Sequence, residues 1–152
     1  MSPKATEISA GTAPVVSVVI LNFNGGDDTI HCLSSVLNET VASVSFEVIV
    51  VDNGSTDDSA EAIARQFPQI RLIETGSNLG FSRGANLGAA AASGEFVAFL
   101  NNDVRVDSEW LSPLVHLLRR DVSLAAAGCT IMSWEGTLVE FSGIRGDAFS
   151  LS

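Results

Sequence analysis

The sequence contains few basic residues, and it has no apolar segment long enough to cross a membrane. Its 8 lysines and arginines stand against 18 aspartates and glutamates, which gives a formal net charge of −10. Nucleic acids and anionic lipid surfaces repel such a chain, so we expect no nucleic-acid partner. The apolar runs at residues 15–21 and 46–51 have the length of β-strands rather than of membrane spans.

Two nucleotide-binding signatures are also missing. No Gly-x-Gly-x-x-Gly follows the first predicted strand, and Gly-x-x-x-x-Gly-Lys-Ser/Thr occurs nowhere, so the dinucleotide-binding and P-loop classes lose support. Cysteine is scarce, because Cys32 and Cys129 are the two in the chain, far apart and without the spacing of metal ligands. We predict that both are small buried hydrophobic side chains.

The sequence does contain enough apolar residues for one compact domain. Of its 152 residues, 46% are hydrophobic and 17% are charged, a composition typical of a globular domain. Residues 1–14 are rich in Ser, Thr, Ala, Gly and Pro and lack the apolar stretch of a signal peptide, so we predict a disordered leader there. Residues 15–152 are expected to form the domain.

Strand and helix patterns alternate along most of this domain. Apolar, β-rich runs predict strands at residues 15–21, 46–51, 70–73 and 96–100. Between them we predict three helices, the first capped by Asp27 or Asp28, the second capped at residues 55–56 and closed by Pro68, and the third at about residues 81–92. This order predicts an α/β fold with a Rossmann-like, doubly wound and mostly parallel sheet.

The last part of the domain has weaker patterns. Asp107 or Ser108 is expected to cap a helix that carries Trp110 and Leu111 on its apolar face. Residues 123–132 and 137–141 are predicted to form two further strands, with a turn between them.

Polar side chains follow three of the predicted strands. Asn22 and Phe23 follow the first strand, Asp52 follows the second, and Asn101-Asn102-Asp103 follows the fourth. Parallel strands end at one edge of their sheet, the edge at which open α/β sheets bind ligands, and side-chain oxygens there are suited to a hard divalent cation. The alternatives are a plain turn at residues 101–103 and a buried phenylalanine at Phe23.

Four segments in this order give the sequence a family resemblance. They are VVSVVILNFN at residues 15–24, VIVVDNGSTD at 48–57, NLGF with NLG at 78–88, and NND at 101–103. Together they resemble the family 2 glycosyltransferases of GT-A fold over residues 15–144, and the second and third segments resemble the rhamnosyltransferase-like branch. The resemblance implies that this is the N-terminal, nucleotide-sugar-binding part of such an enzyme.

The resemblance also implies a reaction and a set of site residues. The reaction is inverting transfer of a sugar from a uridine or thymidine diphosphate sugar to a hydroxyl of a glycan or glycolipid, in polysaccharide or cell-wall biosynthesis. Asp103 is implied as the ligand of Mg²⁺ or Mn²⁺, with Asn101 standing where the family has another acid. For Arg83, a diphosphate contact and a solvated helix-start arginine are alternatives. The implied nucleotide-sugar contacts are Asn22, Phe23, Asp52, Asn53, Arg83, Asn101 and Asn102.

The catalytic residue is unknown from the sequence. In the family the general base lies beyond the last strand seen here, and Glu135, Glu140 and Asp147 stand in no recognisable family motif. Two hypotheses follow: an active transferase, or a nucleotide-sugar-binding fragment without turnover, truncated before the acceptor-binding half. The second predicts exposed apolar surface and self-association. The expected location is cytoplasmic, and membrane-peripheral for a full-length enzyme.

Overall fold

The computed structural model describes residues 13–38, 44–133 and 135–141. Almost all of the predicted leader, Trp134 in the predicted turn, and Asp147 lie outside these described residues. The chain divides into two compact units, the first ending at Glu109 and the second beginning at Trp110. Within the described ranges, no helix combines the length and the apolar character that crossing a bilayer requires.

A parallel sheet with intervening helices forms the first unit. In chain order its elements are β1 (Val16–Asn22), α1 (Gly26–Leu37), β2 (Phe46–Asp52), α2 (Ser59–Gln66), β3 (Arg71–Glu74), α3 (Phe81–Ala91) and β4 (Phe96–Asn101). The strands are ordered β3-β2-β1-β4, and every neighbouring pair is parallel. The predicted α/β fold is confirmed, and each of these strands begins and ends within one residue of its predicted bounds.

The apolar core is built on β1 and β2, because both faces of these strands are covered. Val18, Val19 and Ile20 are buried in succession, and an uninterrupted buried run is typical of a parallel strand with helices on both sides. Val19 meets α3, whereas Asn22 lies on the opposite face of β1 and meets Thr29 of α1. The sheet is therefore doubly wound, as the sequence predicts.

Two glycines let α3 lie close to this sheet. A Cβ atom at Gly84 would lie 2.4 Å from Leu21 Cδ1, and one at Gly88 would lie 2.3 Å from Val19 Cγ1. Glycine inside a helix is less favourable than alanine by about 1 kcal/mol. The close approach of the helix to β1 explains why glycine stands at both positions.

The second unit contains α4 (Leu111–Arg120) and an antiparallel pair, β5 (Ile131–Met132) with β6 (Val139–Phe141). The strand predicted at residues 123–132 is wrong over most of its length, because residues 123–130 form neither helix nor strand. Alanine and glycine are frequent in that segment and have low strand propensity. The predicted burial of Cys129 is also wrong, since Cys129 is exposed, whereas Cys32 is buried as predicted.

Two predicted helix caps are wrong for local reasons. Glu109 has a φ of 63°, in the left-handed region, so α4 begins only after it, at Leu111. The cap residues predicted at 107–108 therefore precede the helix. Likewise α2 begins at Ser59 and not after residues 55–56, whose hydrogen bonds connect to the β1–α1 loop.

The outer strand β4 presents apolar side chains to solvent. Val97 is 39% exposed and Phe99 is 56% exposed. Both are in register with residues of β1 on the face that α3 covers, Ser17 and Val19. Docking of an acceptor-binding half on apolar surface, and self-association through such surface, stay predictions.

A polar cluster at the amino edge of the sheet connects β1 and β2 to the segment that precedes β4. Glu47 Oε1 accepts hydrogen bonds from Ser17 Oγ (2.6 Å), Ser93 Oγ (2.7 Å) and the Ser93 backbone N–H (2.8 Å). Burial alone would raise the pKa of Glu47, but these hydrogen bonds and the charge of Arg71 outweigh it and hold the pKa below its ordinary value.

We expect Glu47→Gln to destabilise the protein at neutral pH by about 1 kcal/mol, because an amide oxygen accepts these bonds more weakly than a carboxylate. A folded-state pKa below the unfolded one gives stability that is present above the unfolded pKa, about 4.3 for glutamate. That stability is lost as the pH falls through the lower, folded pKa. Urea unfolding from pH 7 to pH 3 measures it. The free energies of unfolding of the variant and the wild type should converge at acid pH, and a difference that stays constant with pH would contradict the prediction.

Candidate functional site

The carboxyl ends of three neighbouring strands form the candidate site. Asn22 ends β1 and pairs with Asp52 at the end of β2, while Leu21 pairs with Asn101 at the end of β4. The chain continues from β1 toward β2 on one side and returns to β4 on the other, so the crevice between β1 and β4 is a topological switch point. Ligands of open α/β sheets bind at such a crevice.

Asn22 is the centre of the hydrogen bonds at this edge. Its side chain is fully buried. Nδ2 donates to Asp52 Oδ1 (2.7 Å), Ser59 Oγ (2.8 Å) and Ser55 Oγ (3.1 Å), and Oδ1 accepts from Thr29 Oγ1 (2.8 Å). The sequence predicted a ligand contact at Asn22, but the structure turns this side chain toward the protein, where it connects the ends of β1 and β2 with two helices.

Asp52 is a buried carboxylate with partners inside the protein. Only 3% of the residue is exposed. Oδ1 accepts from Asn22 Nδ2 and from Ser55 Oγ (2.5 Å), and Oδ2 accepts from the Ser55 backbone N–H (3.1 Å). Such donors stabilise a buried charge. Oδ2 retains acceptor capacity, since each carboxylate oxygen has two lone pairs, and the contact to a base stays a prediction.

Asn53 positions the loop before α3, a role that the sequence did not predict. The residue is 2% exposed. Its Nδ2 donates to Asn78 Oδ1 (3.1 Å) and the Gly80 carbonyl (3.4 Å), and its Oδ1 accepts from the Leu79 backbone N–H (2.9 Å). Because these bonds engage both the nitrogen and the oxygen of its side-chain amide, Asn53 supports the loop before α3 and is not exposed to a ligand at the crevice.

Phe23 is presented outward, so the alternative of a buried phenylalanine is wrong. The side chain is 46% exposed. The next residue, Asn24, has a φ of 53°; its N–H donates to Ser55 Oγ (2.9 Å) and its Oδ1 accepts from the Thr56 backbone N–H (2.7 Å). These bonds connect the β1–α1 loop to the β2–α2 loop and fix the place at which the ring is displayed.

The three residues at the end of β4 point in different directions. Asn102 is half-buried, and its Nδ2 donates to Thr29 Oγ1 (2.8 Å). Asn101 and Asp103 are exposed, while the Asn101 carbonyl accepts a hydrogen bond from Cys32 Sγ (3.4 Å). Burial raises the pKa of the Cys32 thiol to about 11, so this thiol is an uncharged structural group.

A protein-only metal site is not present among the described residues, since no three His, Cys, Asp or Glu side chains lie together in them. One exposed carboxylate, Asp103, stands at the crevice edge. Mg²⁺ commonly binds through one or two carboxylates and takes its other ligands from phosphates and water. The donor set therefore fits a metal ion that binds together with a phosphate-bearing ligand.

Arg83 lies at the edge of a cavity on the outer side of α3. The cavity has a volume of about 300 Å³ and is lined by Leu79, Arg83, Asn86 and Leu87. Its Leu79 belongs to the loop that Asn53 supports. Arg83 is exposed, so both interpretations of this cation, a diphosphate contact and a solvated arginine, stay open.

Thr29 is a site residue that sequence reasoning missed, and Gly25 packs directly against it. Gly25 is the N-cap of α1, so the predicted cap at residues 27–28 is wrong and falls in the first turn instead. Thr29 lies one turn later and is fully buried. A threonine in a predicted helix carries no signal of its own, and glycine is an ordinary N-cap residue, so the crowding at this helix start could not be predicted from the sequence.

Comparison with known proteins places the chain in one family. The family model described as "Glycosyl transferase family 2" matches residues 17–142. Glycosyltransferase AglE of Haloferax volcanii is 36% identical over 104 residues, which are 66% of this chain and 34% of AglE. The uncharacterized glycosyltransferase YibD of Escherichia coli is 33% identical over 117 residues, which are 75% of this chain and 33% of YibD.

Two further similarities are to a protein named for O-antigen biosynthesis and to a solved structure. The O-antigen biosynthesis protein RfbC of Myxococcus xanthus is 34% identical over 134 residues, which are 86% of this chain and 10% of RfbC. The crystal structure of S. aureus TarS 1–349 superimposes with a TM-score of 0.58 at 24% identity, over 69% of this chain and 32% of that one, and supports the fold alone. The chain spans about a third of the length of AglE and YibD.

Proposed function

The chain belongs to glycosyl transferase family 2, and from that premise we propose that it binds a nucleoside diphosphate sugar and serves an inverting sugar transfer to an acceptor hydroxyl. The observation that carries this proposal is the arrangement at one sheet edge. An exposed aromatic ring at Phe23, a buried carboxylate at Asp52 and an exposed carboxylate at Asp103 follow three strands whose order is β2-β1-β4. The partners that we propose for these three groups are, in that order, the base, a hydrogen-bonding group of the nucleoside and a metal-bound diphosphate.

The nucleoside part is proposed to lie against the β1–α1 and β2–α2 loops. Phe23 offers a flat apolar face, and stacking of a base on such a ring contributes about 1–3 kcal/mol. Asp52 Oδ2, with one protein donor, keeps acceptor capacity for a base or ribose N–H or O–H group. We propose uridine or thymidine as the nucleoside.

The diphosphate is proposed to lie near Asp103, with Mg²⁺ or Mn²⁺ between them. When bound, the ion would neutralise charge that develops on the leaving nucleoside diphosphate. Asn101 offers a neutral amide oxygen beside it, and Arg83 is a further candidate for the phosphates. The acceptor is proposed to be a glycan or glycolipid, because RfbC, a similar protein, is named for O-antigen biosynthesis. The proposed location is cytoplasmic.

No residue is assigned as the general base. Glu135 and Glu140 are exposed in the second unit, and Asp147 lies outside the described residues. The rhamnosyltransferase-like branch likewise stays a proposal about the sugar. The contribution that we propose for the first unit is to bind and orient the donor, which is a large part of catalysis because binding removes in advance the entropy that the reacting groups would otherwise lose in the reaction.

The test of the proposal is calorimetric binding of uridine diphosphate and thymidine diphosphate to the 152-residue chain, in Mn²⁺ and in EDTA. We expect one of the two to bind, and more tightly with the metal, because the described residues supply few ligands of their own. Folded protein that binds neither diphosphate at millimolar concentration in Mn²⁺ would refute the proposal.

We expect Asp103→Asn to reduce the affinity in Mn²⁺ by at least about tenfold and to leave the affinity in EDTA unchanged, since the variant removes a metal ligand and little else. The melting temperature should stay within error because the side chain is exposed. Glu95→Gln is the matched control: it removes the same charge at the opposite edge of the sheet, where β4 begins. An equal loss in both variants would indicate a general charge effect.

A further inference from the structure

A continuous chain of side-chain hydrogen bonds runs beneath the three strand ends. Asn102 Nδ2 donates to Thr29 Oγ1 (2.8 Å), Thr29 Oγ1 donates to Asn22 Oδ1 (2.8 Å), and Asn22 Nδ2 donates to Asp52 Oδ1 (2.7 Å). We call these four residues the strand-end hydrogen-bond chain. Every bond points the same way and the last acceptor is a carboxylate, so each bond polarises the next.

We propose that Thr29 is a positioning residue of the donor site, which couples the position of the loop at residues 102–103 to that of Asp52. The inference rests on the function proposed above and extends it to a residue that is fully buried and so contacts the ligand only through others. The Thr29 hydroxyl is an acceptor for the loop and a donor toward β1 at the same time. Removing it interrupts the chain at its middle.

Gly25 supports this role, because its missing side chain leaves the space that the chain occupies. A Cβ atom at Gly25 would lie 2.2 Å from Thr29 Oγ1, 2.3 Å from Asn102 Nδ2 and 2.6 Å from Asn22 Oδ1. The φ of Gly25 is −86°, which any residue can adopt. The backbone conformation therefore does not require glycine at this helix N-cap. The three atoms of the hydrogen-bond chain do require it, because they occupy the space that a Cβ atom would fill.

The stiffness of threonine suits the same role. A β-branched side chain in a helix has few χ1 rotamers, and a threonine hydroxyl there commonly bonds to a backbone carbonyl of the preceding turn. Thr29 bonds instead to two side chains that belong to β1 and to the loop after β4. Its Oγ1 therefore fixes the distance between the end of β1 and the residue next to Asp103.

This arrangement predicts that Thr29 affects how strongly the metal assists diphosphate binding. With the chain intact, Asp103 and Asp52 keep the spacing that one ligand must span. Without it, the loop at residues 102–103 loses its bond to α1 and can shift, and the metal contributes less to the affinity. A hydroxyl that served folding alone would lower the melting temperature and leave the effect of the metal unchanged.

The test compares Thr29→Val, which keeps the shape and removes the hydroxyl, with Thr29→Ser, which keeps the hydroxyl. The affinities of the 152-residue protein for uridine and thymidine diphosphate are measured in Mn²⁺ and in EDTA. For each diphosphate, we expect the ratio of the affinity in Mn²⁺ to the affinity in EDTA to fall by at least about fivefold in Thr29→Val. We expect this ratio to recover in Thr29→Ser. An unchanged ratio in folded Thr29→Val would overturn the inference.

Asn102→Ala extends the test from the other side of the same bond. The double variant with Thr29→Val should lower the ratio no further than either single variant, because both substitutions remove the same hydrogen bond. Additive losses would indicate two independent ligand contacts and would overturn the inference. Should Thr29→Val not fold, an unchanged ratio in Asn102→Ala overturns it. Wild-type protein that binds neither diphosphate refutes the proposed function itself, a result distinguishable from all of these.

Discussion

Gly54→Ala should destabilise the protein by about 3 kcal/mol, since two penalties combine at this position. The φ of Gly54 is 78°, in the left-handed region. A Cβ atom there would also lie 2.5 Å from the Ser77 carbonyl carbon and 2.8 Å from the Asn78 backbone nitrogen. Backbone atoms cannot rotate away as a side chain can, so the loop before α3 would have to move from its place beside Asn53.

Gly76→Ala is the matched control for this variant. Gly76 has a φ of 68° and nothing within 4 Å of the position of a Cβ atom. It should therefore show the conformational penalty alone, about 1 kcal/mol. Urea unfolding followed by far-UV circular dichroism measures both variants. Tryptophan fluorescence would not serve, because Trp110 and Trp134 both lie in the second unit.

The difference between the two variants isolates the close backbone contact. A melting temperature roughly 6–12 °C lower in Gly54→Ala than in wild type is the corresponding thermal result for a chain of this size. Equal destabilisation by Gly54→Ala and Gly76→Ala would contradict the packing of the loop at residues 75–80 against the end of β2, and with it the supporting role of Asn53.

The fold of the first unit could be predicted because its local signals agree with its tertiary packing. β1 is apolar except at Ser17 and Asn22, and both of its faces are buried, so pattern and environment match. The second unit lacked such agreement. Residues 123–130 are small and apolar enough to resemble a strand, but strand formation depends on partners that composition does not reveal.

The candidate site was predictable in its place and not in its contacts. A strand followed by Asn or Asp is visible in the sequence, and parallel topology then brings such residues to one edge. Whether a side chain points outward, as at Phe23, or inward, as at Asn53, depends on loops from elsewhere in the chain. Thr29 shows the limit most clearly, because its partners are 7 and 73 residues away.

Asn22→Leu should also destabilise the protein by about 3 kcal/mol or more, because it replaces the hydrogen-bonding atoms of Asn22 in the strand-end hydrogen-bond chain with two methyl groups. Asp52 would lose a donor to its buried carboxylate, and the Thr29 hydroxyl would lose its acceptor. Asn24→Gly is the control. Asn24 is exposed and has a positive φ that glycine adopts freely. Removing the Asn24 side chain should therefore change the free energy of unfolding by about 1 kcal/mol at most.

Asn22→Asp tests the same chain through pH. The introduced carboxyl group would lie within hydrogen-bond distance of Asp52, where two carboxylates share one proton. The pKa of the introduced group should therefore rise above its unfolded value of about 3.9. A raised folded pKa gives stability that is present below the unfolded pKa and is lost as the pH rises through the folded one.

We compare the free energy of unfolding of Asn22→Asp with that of wild type at each pH. The variant should be least destabilised near pH 4, and its free energy of unfolding relative to wild type should fall by at least about 2 kcal/mol more by pH 7. Asn22→Leu adds no titrating group, so its difference from wild type should change less over the same range than that of Asn22→Asp. Urea unfolding by circular dichroism at steps of one pH unit measures both. If the aspartate variant were as stable as wild type at pH 7, the two side chains would not meet in a buried environment, and the strand-end hydrogen-bond chain would be wrong at its centre.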